Sequence, residues 1–357
     1  MNPHSISLKT LQVGRALAAV IVVAFHLSLM MGEARYGGAT VFTEYTKYGY
    51  LAVDFFFVLS GFIITFAHGG QIGNRAAWRD YARRRFVRLF PIYWLYTGVF
   101  VLLVLLGFGT EAAMPHTALD ALTSLSLVRF SAATPPLQVA WTLFYELAFY
   151  VLFGVLIFSV RAGVVLLAAW AIVCLVLFHH PAEDTPSSVY TAASNLYFML
   201  GMGAYCLYRR GGAGLFELLG GLALAAAGLS LIATFPAYYD PGRFMLVCGF
   251  AFMLAGVSQL ELAGRLAFPR WLVYVGDASY SIYLLHESLS GLLIKVFSKT
   301  HVYSALGKGP TYLLVLAFTI PLGCLAYAVI EKPLLAVLRR RQQRQPPPES
   351  LRTDPRA

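Results

Sequence analysis

Runs of about 17–25 apolar residues, joined by short polar connections, recur from one end of this chain to the other. Backbone N–H and C=O groups in hydrocarbon find partners only within a helix or a closed barrel, so runs of this length read as membrane-spanning helices. Ten are read, near 11–30, 48–68, 86–108, 141–159, 163–179, 190–208, 215–234, 243–259, 272–297 and 311–338. The pattern predicts an all-α, polytopic integral membrane protein with both termini cytoplasmic. Charge usage agrees: 12% of the 357 residues are charged, whereas a soluble domain uses about a quarter.

Positive charge orients the expected spans. The connection at 69–85 carries Arg75, Arg79, Arg83, Arg84 and Arg85 against Asp80 alone. Arg161, Arg209–Arg210, Arg265, Arg270 and Arg339–Arg341 mark further loops on that side. The opposite loops are poor in base: 179–189 holds Glu183 and Asp184, and 109–140 holds Glu111 and Asp120 against Arg129. Only 298–310, with Lys299 and Lys308, runs against the trend. The net charge of +10 therefore reads as topology and contact with anionic membrane lipids, not as a nucleic-acid surface. Residues 1–338 read as one transmembrane domain, and 339–357, "RRRQQRQPPPESLRTDPRA", as a disordered basic tail. The stretch "TALDALTSLSLV" is too short to span and suits an interfacial helix or a lid. The four cysteines lie inside apolar spans without metal or redox spacing, and no metal site is read.

Ionisable residues inside hydrocarbon cost several kcal/mol unless paired or turned to a cavity, so each invites a functional reading. The first span, "LQVGRALAAVIVVAFHLSLMM", carries Arg15 and His26. Eleven residues separate them, about three turns and roughly 16 Å, so both leave the helix on one face. A lone arginine near a helix end ordinarily snorkels to headgroups; a buried histidine ordinarily bonds a carbonyl. The second span, "GYLAVDFFFVLSGFIITFAHG", puts Asp54 among phenylalanines and Ser60–Gly61 near its middle, where close helix packing is the ordinary reading. In "YARRRFVRLFPIYWLY", Arg85 and Arg88 share a helix face and form a fork suited to phosphate. "WTLFYELAFYVLF" sets Trp141 at the interface and Glu146 about two turns deeper. "VGDASYSIYLLHES" brings Tyr280, Tyr283, His286 and Glu287, and the last span ends in Glu331–Lys332–Pro333.

Two levels emerge. Arg15, Arg85 and Arg88 form a cationic mouth at the cytoplasmic end, suited to a polyanionic donor. His26, Asp54, Glu146 and His286 lie deeper, and a base paired with a carboxylate prepares a hydroxyl for attack on a carbonyl.

The motifs Arg15 with His26, "VDFFFVLSGF", "RRFVRLFPIYW", "WTLFYELAFY", "GDASYSIYLLH" and "EKP", in this order over nearly the whole chain, resemble those of membrane-bound acyltransferase family 3. Thr142 stands where that pattern leads us to expect serine. The resemblance implies a multi-pass enzyme of the bacterial cytoplasmic (inner) membrane. It implies transfer of an acyl group, usually acetyl from acetyl-CoA, to a carbohydrate or lipid-linked glycan, with no permanently bound cofactor. His26 then takes the catalytic role with Glu146 or Asp54, and Arg15, Arg85 and Arg88 serve the acyl-CoA. Ser60, Gly61, Trp141, Tyr280, Tyr283 and His286 line the passage or the acceptor. The same buried charges also suit a proton-coupled transporter of a glycan or organic anion, the alternative reading.

Overall fold

In the computed structural model, residues 8–107, 113–178, 185–235, 237 and 239–343 are described. They fold as an all-helical bundle. In chain order the helices of eight residues or more are α1 (Lys9–Gly32), α2 (Ala52–His68), α3 (Trp78–Leu105), α4 (Ala118–Ser126), α5 (Trp141–Phe158), α6 (Val160–Val176), α7 (Asn195–Arg210), α8 (Leu215–Thr234), α9 (Tyr239–Leu262), α10 (Arg270–Asp277), α11 (Ser279–Lys299), α12 (Lys308–Ala326) and α13 (Lys332–Gln343).

Among the described residues, seven helical stretches are long and apolar enough to cross a membrane. The three other expected spans fall on shorter or more polar helices. α6 has 17 residues. α7 has 16, a rise of about 24 Å where the hydrocarbon layer is about 30 Å. The expected span at 272–297 is broken at Ala278 into α10 and α11, and α11 carries His286, Glu287, Lys295 and Lys299. α3 begins at Trp78, so Arg79, Arg83, Arg84 and Arg85 sit on its first turns and not in a loop. α13 runs to Gln343, past the boundary expected at 338; the rest of the tail, and Glu183–Asp184, lie outside the described residues.

Glycine sets the closest helix contacts. Gly214, Gly221 and Gly228 are spaced by seven residues, as are Gly242, Gly249 and Gly256. Seven residues is nearly two turns, so each set lines one stripe. α8 and α9 run antiparallel with the two stripes face to face. A Cβ at Gly228 would lie 2.5 Å from Gly242 O, one at Gly221 2.8 Å from Gly249 O, and one at Gly214 2.6 Å from Gly256 O. The same device joins α2 to α7, where a Cβ at Gly61 would lie 2.0 Å from Phe198 O and one at Gly201 1.9 Å from Val58 O. It also seats α10 on α1, where a Cβ at Gly276 would lie 1.9 Å from Gln12 O. Lipid offers no hydrophobic drive between helices, so close backbone packing of this kind holds them together.

Polar contacts finish the assembly. Glu261 at the end of α9 caps α1, accepting from Lys9 N and Thr10 N at 2.8 Å and from Thr10 Oγ1 at 2.6 Å. Asp54 on α2 is fully buried and takes a bidentate fork from Arg243 on α9, both bonds 2.7 Å. α4 opens with a capping box between Thr117 and Asp120. It is fastened to α3 by Tyr93 OH and Trp94 Nε1, which donate to Ser124 O and Leu125 O. Leu119, Leu122 and Leu125 remain exposed, as an interfacial helix requires.

α12 and α13 meet in a five-residue π turn, Tyr327–Glu331. The wider turn shifts the register and brings Glu331 inward, where it is fully buried. π turns of this kind recur at functional sites.

Two expectations follow. Gly249→Leu should lower the thermal midpoint of the detergent-solubilised protein by an amount corresponding to about 1–3 kcal/mol of overpacking. Gly220→Ala, on α8 beside Gly221 and with nothing within 4 Å of the added Cβ, should leave it unchanged or raise it. Arg243→Met leaves the Asp54 carboxylate buried and unpaired and should cost about 3 kcal/mol, whereas Arg243→Met combined with Asp54→Leu should recover most of the loss. A midpoint unmoved by the single variant would contradict the pairing.

Candidate active site

A cavity of about 710 Å³ opens at the arginine-rich end of the bundle, between α1, α2, α3, α5, α11 and α13. Arg15, Arg84, Arg85, Arg88 and Arg339 line it against two acids, Asp80 and Glu146. Three arginines of its wall, Arg15, Arg85 and Arg88, are each held from behind by a different element. Arg15 Nε donates to Ser279 Oγ at 2.9 Å, at the break between α10 and α11. Arg88 Nη1 donates to Glu331 Oε1 at 2.8 Å, and its guanidinium lies 5.2 Å from the centre of the Tyr280 ring. Glu331 Oε2 accepts from Ser281 Oγ at 2.7 Å, and Tyr96 OH lies 2.8 Å from the same hydroxyl. The π turn thus delivers a carboxylate to the far side of Arg88.

Arg85 Nη2 lies 3.1 Å from His68 Nε2. A guanidinium only donates, so His68 accepts at Nε2 and carries its proton on Nδ1, which donates to Gln71 Oε1 at 2.8 Å. Arg85 Nε is buried and has no hydrogen-bond partner among the described residues. A guanidinium backed by a neutral imidazole keeps its full charge, and in a wall rich in arginine it suits a phosphate oxygen.

Glu146 sits deeper. Tyr150 OH donates to its Oε1 in a short hydrogen bond, and Ser60 Oγ lies 3.5 Å from that oxygen. The far end of the cavity is walled by Phe56, Thr142 and Tyr283. Tyr283 OH donates to Val139 O at 2.9 Å and lies 3.0 Å from Thr142 Oγ1, and its ring packs 6.0 Å from that of Phe56.

His26 stands beyond this wall. Its Nδ1 lies 3.0 Å from Val22 O and 3.3 Å from His286 Nε2, and its Nε2 lies 3.7 Å from Glu287 Oε1. Its side chain is 23% exposed and that of Glu287 30%, so the pair borders the surface near the end of the bundle away from the arginines. His286 is buried against Tyr283, with ring centres 5.9 Å apart. Ligand atoms of His26, His286 and Glu287 all lie within 4.8 Å of one another, a spacing open to a cation. His286 Nε2, however, is aimed at His26 Nδ1, so the imidazoles meet as a hydrogen-bonded pair and do not converge on a shared point.

Of the residues singled out in the sequence, Arg15, Arg85, Arg88, Ser60, Glu146, Tyr280 and Tyr283 gather around the cavity. His26 and His286 meet on the other side of Tyr283. Asp54 is engaged by Arg243 and Glu146 by Tyr150, so the carboxylate beside His26 is that of Glu287. Gly61 faces the α7 backbone, back to back with Ser60, which faces the cavity. Trp141 packs on Tyr145 with 39% of its surface exposed, as a residue of the interface belt does. The partners not foreseen are Arg243, His68 and the Arg88 contact of Glu331. An arginine in the apolar run "GRFMLVCGF" was the available signal for the first, since a buried aspartate requires a nearby cation.

Comparison with known proteins bears on what such a site does. A family model described as an acyltransferase domain matches residues 8–328. The exopolysaccharide production protein ExoZ of Rhizobium meliloti (strain 1021) is 32% identical over 309 residues, covering 82% of this chain and 92% of its own length. Acyltransferase MdmB of Streptomyces mycarofaciens is 24% identical, covering 96% and 95%. A putative peptidoglycan O-acetyltransferase of Bacillus subtilis (strain 168), YrhL, is 27% identical over 90% of this chain, which spans 54% of that longer protein. No solved structure matches. The match over nearly all of the helical bundle, together with its apolar helices, identifies the chain as a multi-pass membrane protein of acyltransferase family 3.

Proposed function

We propose that the chain transfers an acyl group, acetyl in the first instance, from cytoplasmic acyl-CoA to a hydroxyl of a glycan or lipid-linked glycan across the bacterial inner membrane. In this reading the arginine-rich end and both termini are cytoplasmic, and the bundle crosses the membrane ten times. The observation that carries it is the cavity in which five arginines face two acids. Such a wall suits the phosphates of CoA, with Arg15, Arg85 and Arg88 held in place from behind. The exopolysaccharide and peptidoglycan roles in the names of two relatives support a glycan acceptor.

The thioester arm follows the cavity from the arginines past Glu146 to Tyr283. From Arg15 to His26 the rise along α1 is roughly 16 Å, the stretch over which the arm is laid. Tyr283 stands in between, and its side chain swings aside to let the thioester carbonyl meet His26. The acceptor hydroxyl gives its proton to His26 Nε2 while its oxygen attacks that carbonyl. The new C–O bond forms, the C–S bond breaks, and the imidazolium returns the proton to the departing thiolate. The products are the ester and free CoA thiol.

His26→Ala, in membranes holding normal amounts of protein, should reduce label transfer from acetyl-CoA to the glycan fraction by at least about 100-fold, the scale of a positioned base. Full activity would remove His26 from that role. Arg85→Gln should raise the KM for acetyl-CoA about tenfold or more, since a charge-assisted contact is worth about 1.5–3 kcal/mol. An unchanged KM would take the donor phosphates away from this wall.

A further inference from the structure

We infer that His286 is the positioning residue that holds His26 in the one tautomer able to take a proton at Nε2, with Glu287 facing the charge that forms there. This rests on the reading of His26 as the base.

The hydrogen-bond chain begins at the backbone. His286 Nδ1 lies 2.7 Å from Tyr283 O. A carbonyl only accepts, so this nitrogen carries the proton and His286 Nε2 presents a lone pair. That lone pair faces His26 Nδ1 at 3.3 Å, and Val22 O faces the same atom at 3.0 Å. Two acceptors converge on one ring nitrogen, which must therefore carry its proton. His26 Nε2 is left bare, 3.7 Å from Glu287 Oε1. The opposite tautomer would set a lone pair of His26 against a carbonyl oxygen and a second imidazole lone pair. Fixing the tautomer through the other ring nitrogen is how proteins assign the reactive face of a histidine.

The arrangement also accommodates the charged state. When Nε2 accepts the hydroxyl proton, the positive ring keeps both acceptors at Nδ1–H, and the Glu287 carboxylate stands across from Nε2–H. The proton then leaves for the thiolate, so His286 touches no reacting atom and neither gains nor loses a proton. Four groups that bear on the pH response surround the pair. His286 and Glu287 project from α11. Glu33 and Arg35, just after α1, are joined to each other at 2.5 Å and within electrostatic reach of Glu287.

The test compares His286→Phe, His286→Gln and His26→Ala in the full-length protein in nanodiscs, with labelled acetyl-CoA as donor and isolated membrane glycans as acceptor. His286→Phe should lower kcat about tenfold to a hundredfold, a share of what a positioned base supplies. The KM for acetyl-CoA should stay within about twofold, because the donor wall is untouched, and the acid limb of the pH–rate profile should be displaced. His286→Gln, whose amide oxygen can accept from His26 Nδ1–H, should recover part of kcat. The ¹⁵N spectrum of histidine-labelled wild-type protein should show His26 protonated at Nδ1. An inactive His26→Ala beside a His286→Phe with wild-type kcat and pH profile would overturn the positioning role alone. An active His26→Ala would instead overturn the base. Should His286→Phe fail to fold, a wild-type spectrum with His26 protonated at Nε2 would still refute the inference. So would loss of activity to a chelator and its return with zinc.

Discussion

The ion pair between Arg88 and Glu331 is the contact on which the arginine-lined cavity depends. A buried guanidinium is costly in a low-dielectric bundle and a counter-charge offsets that cost; the carboxylate reaches Arg88 because the chain widens into a π turn before α13. Glu331 also gathers Ser281 and, through it, Tyr96, so one carboxylate joins α3, α11 and the α12–α13 junction. With that charge answered from behind, the front of Arg88 remains available to the cavity. Arg15 and Arg85 meet neutral acceptors instead, Ser279 Oγ and His68 Nε2, which orient each guanidinium without cancelling its charge.

Glycine does for shape what these pairs do for charge. The register of Gly221 and Gly228 against Gly249 and Gly242 locks α8 to α9, and α9 in turn holds Asp54 of α2 through Arg243. Gly61 brings α2 onto α7 and leaves Ser60, the preceding residue, turned to the cavity. Gly276 seats the short α10 on α1, which is what allows Ser279 to reach Arg15. Scaffold and site therefore share contacts: Gly61 adjoins Ser60 and Gly276 lies three residues before Ser279, while the α8–α9 seam supports the Asp54–Arg243 pair outside the cavity.

Much of this was legible in the sequence and the rest was not, for identifiable reasons. The apolar runs announced the helices, and the shared face of Arg85 and Arg88 placed both in the same wall, because helical period and hydrocarbon thickness act locally. Partner choice is not local. Asp54 and His26 both lie towards the same end of the bundle by residue count, yet Asp54 turns to Arg243 and His26 to Glu287, and only the rotation of each helix decides between them. α3 starts well before its apolar run because a helix can carry arginines, here Arg79 to Arg85, beyond the hydrocarbon, where charge alone reads as loop. The π turn left no mark: "AYAVIEKP" has the composition of an ordinary helix. The seven-residue glycine spacing was visible and pairs two helices without amounting to a repeat of the fold.

Tyr283 carries a consequence of its own. The cavity reaches it from one end of the bundle and His286 packs on it from the other side, so its ring, with Phe56 and Thr142, stands between the cavity and the His26 pair. Val139 and Thr142 pin the ring in that position. Any membrane protein with so deep a cavity must still preserve the ion gradients its host lives on, and this phenol is part of the seal.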